Sequence, residues 1–165
     1  VGNIGSHVAQ AASGLGMQVI GYDPMLPDEL ISQHGAKPVP LAELYQSADF
    51  ISLHTPLVES TRGFINRQAL DEIKPGCYIV NTARGGLIDE TALLEALESG
   101  KLSGAAIDVY SDEPPGTSAL VAHPRTIATP HIAAQTYEAQ ERTAVAIAQE
   151  VLAALRGAAL RWRVV

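Results

Sequence analysis

Residues 77–109, CYIVNTARGGLIDETALLEALESGKLSGAAIDV, decide the fold because an amphipathic segment separates two apolar runs. The runs Tyr78–Asn81 and Ala105–Val109 are apolar on both faces, which is typical of parallel strands buried on two sides. Between them, Asp89–Ser99 has the spacing of a helix whose inward side carries three leucines, Leu93, Leu94 and Leu97. The stretch therefore predicts a strand, a helix and a second, parallel strand.

The same alternation extends through the rest of the chain. Further strands are predicted at Gln18–Tyr22, Asp49–His54 and Thr126–Ala128, and further helices at Ile4–Leu15, Leu41–Ser47, Asn66–Ile73 and Tyr137–Arg156. The apolar face of the first of these helices is predicted to consist of Val8, Ala11, Ala12 and Leu15. Strands that alternate with amphipathic helices favour a doubly wound α/β domain, in which helices cover both faces of a parallel sheet.

The composition excludes several classes of function. The 165 residues include 11 Lys and Arg against 18 Asp and Glu, and the basic residues are scattered, so we expect no nucleic-acid partner. No apolar run approaches the ~20 residues of a bilayer span, so we expect no membrane insertion. A single cysteine, Cys77, argues against a zinc cluster, and we expect no metal. Within its apolar run Cys77 is predicted to be a buried, reduced thiol rather than a nucleophile, which indicates a cytoplasmic protein.

The opening segment VGNIG contains half of a dinucleotide-binding turn, because Gly2 and Gly5 fit its second and third glycines. Such a turn leads into a helix whose first N–H groups and dipole attract a pyrophosphate, and its glycines let the ligand approach the backbone. The first strand and the first glycine of the motif are expected to precede Val1.

Asp23 strengthens the dinucleotide hypothesis because it ends the next predicted strand. A carboxylate at this point accepts hydrogen bonds from the ribose hydroxyls and repels a 2′-phosphate, so NAD is favoured over NADP. The alternative is an Asp that only starts an Asx turn before Pro24.

Polar residues follow four of the predicted strands, among them His54, Arg84, Glu113 and His131. Ligands of open α/β sheets bind beyond the carboxyl ends of strands, so we expect these residues to converge. A guanidinium holds a carboxylate through two parallel hydrogen bonds, and a carboxylate beside an imidazole stabilises the cation that protonates a carbonyl. Together, the guanidinium, the carboxylate and the imidazole favour a reaction in which a hydride is transferred to a 2-oxo acid. Taken singly, Arg84 could be a surface residue or a helix anchor, Glu113 a loop carboxylate, and His131 a core histidine.

The stretch NTARGGLIDETALLEALESGKLSGAAIDVYSDEPP, followed by TPHIAAQT, strongly resembles the D-isomer-specific 2-hydroxyacid dehydrogenases. The resemblance implies that Arg84 binds the substrate carboxylate, that His131 is the general acid/base, and that Glu113 pairs with His131. His54 is taken as a wall of the pocket. The resemblance also implies NAD contacts by Gly2, Asn3, Ile4, Gly5, Asp23, Thr55, Thr82, Ala83, Arg84, Asp108, His131, Ala133 and Ala134.

Members of this family have two domains, so the resemblance implies an NAD-binding domain over residues 1–156 and a tail, residues 157–165, that crosses back towards a substrate domain. That domain would be formed by residues before Val1 together with the tail, so residues 1–165 alone are expected to be inactive. We expect the whole protein to be a homodimeric, NAD-dependent oxidoreductase that acts on a small D-2-hydroxy acid or its 2-oxo acid. The alternative is a non-catalytic NAD(H)-sensing or corepressor-like binding module, against which the intact Arg84, Glu113 and His131 argue.

Overall fold

The computed structural model describes residues 1–161, so residues 162–165 of the predicted tail lie outside the described part of the chain. The chain divides into two compact units, of which the first is Val1–Pro130 and the second begins at His131. The first unit contains a 3₁₀ turn at Glu59–Thr61 and the helices α1 (Asn3–Gly14), α2 (Asp28–Gln33), α3 (Leu41–Ser47), α4 (Arg67–Glu72), α5 (Glu90–Glu98) and α6 (Ala119–Ala122). Its strands are β1 (Ile20–Gly21), β2 (Lys37–Pro38), β3 (Phe50–Leu53), β4 (Cys77–Asn81), β5 (Leu102–Ile107) and β6 (Thr126–Ala128). The second unit contains α7 (Tyr137–Leu155).

The strands of the first unit form two parallel sheets. β1 pairs with β2, while β3, β4, β5 and β6 pair in that order. In the larger sheet Ile51 lies opposite Ile79, and Ile79 lies opposite Ala105. The carboxyl ends of its four strands therefore meet at one edge of the sheet, which confirms the predicted parallel α/β architecture.

The core lies between one face of the larger sheet and helices α3 to α6. Ile79 and Ile107 of the sheet are buried there together with Leu93 and Leu97 of α5. Leu94, the third leucine predicted to face inward, is half-buried. The helical spacing therefore identified the packed side of α5 correctly.

Cys77 is buried in this core at the start of β4, and it is a free cysteine. Burial raises the pKa of its thiol to about 11, because the charged thiolate is poorly solvated among apolar side chains. The prediction that the Cys77 thiol is buried is confirmed.

The opposite face of the larger sheet carries exposed apolar side chains. Phe50 and Tyr78 stack on neighbouring strands with ring centroids 5.0 Å apart and 13° between their planes. Phe50 is 53% exposed, and Ile127 of β6 is 70% exposed. Within the first unit, the core helices α3 to α6 pack on the other face of this sheet.

Side-chain caps fix where the helices of the core begin. The Asp89 carboxylate accepts hydrogen bonds from the amides of Thr91 and Ala92, both at 3.1 Å, and thereby satisfies first-turn donors of α5. Asn66 caps α4 in the same way, through the amide of Ala69 at 3.0 Å. These caps leave α4 and α5 within one or two residues of their predicted starts.

Helix α1 packs through small residues rather than through its predicted apolar face. Its buried residues are Gly5 and Ala9, whereas Val8 is 41% and Leu15 is 82% exposed. Ala9 belongs to a small core with Ile31 and Ala36. The prediction of a face built on Val8, Ala11, Ala12 and Leu15 is wrong, because the packed side of α1 is formed by Gly5 and Ala9, which lie one helical turn apart.

Candidate active site

The N-terminus of α1 lies against the end of β3. Gly5 packs on the imidazole of His54, and a Cβ added to Gly5 would lie 3.4 Å from the His54 Cβ. Gly2 occupies the N-cap position, where it offers no side chain to the first-turn N–H groups, and an added Cβ at Gly2 would meet nothing within 4 Å. The open approach at Gly2 and the first-turn donors of α1 fit the pyrophosphate of a dinucleotide.

Asp23 lies two residues beyond β1, and its Oδ1 accepts from the Met25 amide at 3.0 Å. The Asx turn considered as an alternative is therefore present. The contact of Asp23 with ribose hydroxyls stays a prediction.

His54 follows β3 and is half-buried. Its Nε2 is 2.9 Å from the Ser52 Oγ, and burial lowers the pKa of the imidazole, which favours the neutral ring. Together with its contact to Gly5, this position is consistent with the prediction of a pocket wall. Thr55, the next residue, is also half-buried.

The loop after β4 carries Thr82, Ala83 and Arg84, and the buried Asn81 holds it. The Asn81 Nδ2 donates to the Arg84 carbonyl at 2.9 Å, and the Asn81 Oδ1 accepts from the Ala83 amide at 3.1 Å. The Arg84 side chain is exposed, and its guanidinium donates to the Ala83 carbonyl at 2.6 Å. Sequence reasoning missed Asn81, although a polar residue closing the run CYIVN was a signal for it.

The loops that carry Arg84 and Glu113 touch through their backbones. A Cβ added to Gly85 would lie 1.8 Å from the Tyr110 carbonyl oxygen and 2.7 Å from the Ser111 nitrogen. Only glycine fits at this position, because every other side chain begins with that carbon. The structure therefore brings the Arg84 and Glu113 loops together, as the positions of these residues after neighbouring strands predicted.

Two carboxylates fix the loop after β5. The Glu113 Oε1 accepts from the Tyr110 amide at 3.1 Å, and the Glu90 Oε1 accepts from the Ser111 amide at 2.7 Å. Glu90 is the first residue of α5, so the same helix that follows the Arg84 loop also restrains the Glu113 loop. Glu90 was not predicted from the sequence as a site residue.

Asp108 lies just beyond β5 and is buried. Buried carboxylates are rarely found without a partner. Its Oδ1 accepts from the Thr129 hydroxyl at 2.6 Å, and its amide donates to the Asn81 carbonyl at 3.0 Å. Asp108 thus joins the ends of β4, β5 and β6 at the edge where the predicted site lies.

His131, Ala133 and Ala134 belong to the beginning of the second unit. His131 has a backbone φ of 55°, in the left-handed region that few residues other than glycine adopt. The pairing of His131 with Glu113, and the NAD contacts of all three residues, stay predictions.

Two further findings bear on the predicted class of protein. Within residues 1–161 no group of three or more His, Cys, Asp or Glu side chains could hold a metal ion. None of the helices described combines the length and hydropathy that a bilayer crossing requires.

Comparisons with known proteins show the family to which this chain belongs. The family described as "D-isomer specific 2-hydroxyacid dehydrogenase, NAD binding domain" matches residues 1–133. D-3-phosphoglycerate dehydrogenase from Bacillus subtilis is 46% identical over 157 residues, which are 95% of this chain and 30% of that protein. The human D-3-phosphoglycerate dehydrogenase is 44% identical over 160 residues, which are 97% of this chain and 30% of that protein. These relatives confirm the resemblance to D-3-phosphoglycerate dehydrogenases that the segment from Asn81 to Pro115 carries.

Solved structures of a reductase and a dehydrogenase are also similar to this chain. A glyoxylate reductase from Paecilomyes thermophila superposes with a TM-score of 0.90 and 41% identity, covering 98% of this chain and 49% of that one. A D-lactate dehydrogenase with NAD+ from Lactobacillus jensenii superposes with a TM-score of 0.88 and 31% identity, covering 100% of this chain and 53% of that one. The chain thus spans about 30% of the length of these curated relatives and about half of these solved chains.

Proposed function

Because the chain belongs to the D-isomer-specific 2-hydroxyacid dehydrogenases, through their NAD-binding domain, we propose that the whole protein interconverts a small D-2-hydroxy acid and its 2-oxo acid. The observation that carries the proposal is the backbone contact between the Arg84 and Glu113 loops at Gly85 and Tyr110. It holds a carboxylate-binding group and a carboxylate at the ends of two neighbouring strands, where ligands of parallel α/β sheets bind.

We propose D-3-phosphoglycerate as the substrate, and the names of the curated relatives support this choice. The names of the solved structures, a glyoxylate reductase and a D-lactate dehydrogenase, support the broader class of small 2-hydroxy and 2-oxo acids. These relatives are all dehydrogenases or reductases, so they lend no support to the alternative of a non-catalytic NAD(H)-sensing or corepressor-like module.

In the proposed reaction Arg84 binds the substrate carboxylate through two hydrogen bonds and orients the carbonyl. His131 donates a proton to the carbonyl oxygen during reduction and removes it from the hydroxyl during oxidation. Glu113 pairs with His131 and stabilises its protonated form. When bound, the cofactor would supply the redox chemistry: NAD⁺ would accept the hydride at C4 of the nicotinamide during oxidation of the hydroxy acid, and NADH would return it during reduction of the oxo acid.

The residues of the first unit that would hold NAD run along the carboxyl edge of the strands. Asn3 and Ile4, between Gly2 and Gly5, would contact the pyrophosphate. The anionic Asp23 would accept hydrogen bonds from the adenosine ribose, and Thr55 would lie on the adenine side. Contacts of the nicotinamide half would come from Thr82 and Ala83 at the ribose and from Asp108, Ala133 and Ala134 at the carboxamide.

We further propose that the whole protein is a cytoplasmic homodimer with its NAD-binding domain over residues 1–156. The buried free thiol of Cys77 supports a reducing compartment. Exposed apolar side chains on α7, including Val145, Ile147 and Leu155, supply surface for further contacts. Sedimentation of the whole protein tests the dimer, and a monomer at micromolar concentration would contradict it.

The test of the proposed function is the change in NADH absorbance when the whole protein is mixed with a 2-oxo acid. Hydroxypyruvate and glyoxylate serve as oxidised substrates, and D-3-phosphoglycerate with NAD serves for the reverse direction. We expect the wild-type protein to turn over at least one of these compounds and the His131→Ala variant to lose that turnover. Binding of NADH without turnover of any of these compounds would favour the non-catalytic module instead.

A further inference from the structure

We infer that Tyr110 is a positioning residue that holds three strand-end loops of the site in register, an inference that rests on the proposed function. Tyr110 lies three residues beyond the end of β5 and is 5% exposed. It contacts the Arg84 loop through its carbonyl, the Glu113 side chain through its amide and the end of β6 through its hydroxyl.

The main chain of Tyr110 makes two of these contacts. Its carbonyl lies against Gly85, where an added Cβ would be 1.8 Å from the oxygen, and its amide donates to the Glu113 Oε1 at 3.1 Å. A shift of Tyr110 would therefore move the Arg84 loop by steric contact and would change the anchoring of Glu113.

The side chain of Tyr110 makes the third contact. Its hydroxyl lies 2.9 Å from the Thr129 carbonyl oxygen and 3.1 Å from the Ile107 carbonyl oxygen, so one proton serves two acceptors. Burial raises the pKa of Tyr110, so the hydroxyl keeps its proton and remains a donor. The side chain of Tyr110 thus connects the loop after β5 to Thr129, which lies two residues before His131 in the chain.

Thr129 connects Tyr110 to the buried carboxylate of Asp108. Its hydroxyl donates to the Asp108 Oδ1 at 2.6 Å, and its amide donates to the Ile107 carbonyl at 3.0 Å. The Tyr110 hydroxyl therefore completes a closed set of contacts in which Thr129 bonds to Ile107, Asp108 and Tyr110. Removing that one oxygen takes the Tyr110 donor from the Thr129 carbonyl and leaves the Ile107 carbonyl bonded to the Thr129 amide, while the rest of the ring still fills its space.

The test compares Tyr110→Phe with Tyr45→Phe in the whole protein. Tyr45 is buried to a similar extent, 3% exposed, but it lies on α3 and packs in the core cluster rather than at the ends of β4, β5 and β6. We expect Tyr110→Phe to lower kcat for reduction of the 2-oxo acid by about tenfold, since small misplacements of reacting groups are costly. The dissociation constant of NADH should stay within about twofold of the wild-type value, because the pyrophosphate turn is unaffected. Tyr45→Phe should leave both constants unchanged.

Hydrogen exchange gives a second readout that does not depend on turnover. In Tyr110→Phe, the backbone amides of residues 111–113, 116–117 and 127–129 should exchange faster than in the wild type, whereas Tyr45→Phe should leave them unchanged. Unchanged exchange in Tyr110→Phe, equal kcat losses in the two variants, or a Tyr110→Phe variant that is unfolded would each overturn the positioning role. A wild-type protein that turns over no 2-oxo acid would refute the proposed function, and the exchange result would still decide the role of Tyr110.

Discussion

Substituting Gly85 by Ala is the most direct perturbation of the site, because it inserts one carbon atom between the Arg84 and Glu113 loops. The added Cβ would lie 1.8 Å from the Tyr110 carbonyl oxygen. A comfortable separation between carbon and oxygen is about 3.3 Å, so one loop has to move by about 1.5 Å. The obstacle is backbone rather than the end of a flexible side chain, so the strain cannot be relieved by a change of rotamer.

The displacement should affect catalysis more than cofactor binding. A misplacement of about 1 Å costs on the order of a hundredfold in rate, so we expect kcat/KM of the whole protein for the 2-oxo acid to fall by about that factor. The overpacking should also cost about 1–3 kcal/mol of unfolding free energy. The affinity for NADH should change less than kcat/KM does, because α1 and Asp23 lie elsewhere at the strand edge.

Gly14→Ala is the matched control, because an added Cβ at Gly14, the last residue of α1, meets nothing within 4 Å. It should leave kcat/KM unchanged and leave stability unchanged or slightly raised, since alanine favours a helix over glycine. The measurements are steady-state kinetics, fluorescence titration with NADH and thermal unfolding. A Gly85→Ala variant with the kcat/KM of the wild type would refute the argument that the two loops are in backbone contact.

Three further predictions address the proposed roles of single side chains in the whole protein. Arg84→Lys should raise KM for the 2-oxo acid more than it lowers kcat, because an ammonium cannot reproduce the two-pronged contact with a carboxylate; an unchanged KM would remove Arg84 from that role. Glu113→Gln should move the alkaline limb of kcat/KM for reduction to lower pH, since the amide no longer stabilises the protonated His131; a limb that stays in place would make Glu113 a loop residue. Asp23→Ala should narrow the preference for NADH over NADPH in a fluorescence titration, because the anionic carboxylate that repels a 2′-phosphate is gone; an unchanged ratio would count against the ribose contact.

The sequence predicted the large elements because their signals are local. Leu41–Ser47 and Thr126–Ala128 were predicted with the bounds that α3 and β6 have. The short α2, β2 and α6 were not predicted, because four- or six-residue helices and a two-residue strand have too few positions for a period to appear.

The candidate site was predictable only in part. The alternation of strands and helices makes the strands parallel, and parallel strands bring the residues after them to one edge, so Arg84 could be found from the sequence. Asp108 was named only because the family resemblance implied it. The contacts that fix those residues depend on backbone distances between loops far apart in the chain. The contact of Gly85 with Tyr110 is an example, as is the bond from Ser111 to Glu90. The pair Gly85-Gly86 was the one local signal that a close backbone approach was required.

The buried Asn81 has a consequence for attempts to alter which ligands bind beside Arg84. Both ends of its side-chain amide bond to the short loop that carries Arg84, so the sheet itself sets the path of that loop before any ligand arrives. The exposed Thr82 in the same loop can be substituted without removing either of these hydrogen bonds. A mutant library that randomises Thr82 while leaving Asn81 and Gly85 fixed should therefore retain a far larger fraction of folded members than one that randomises all three.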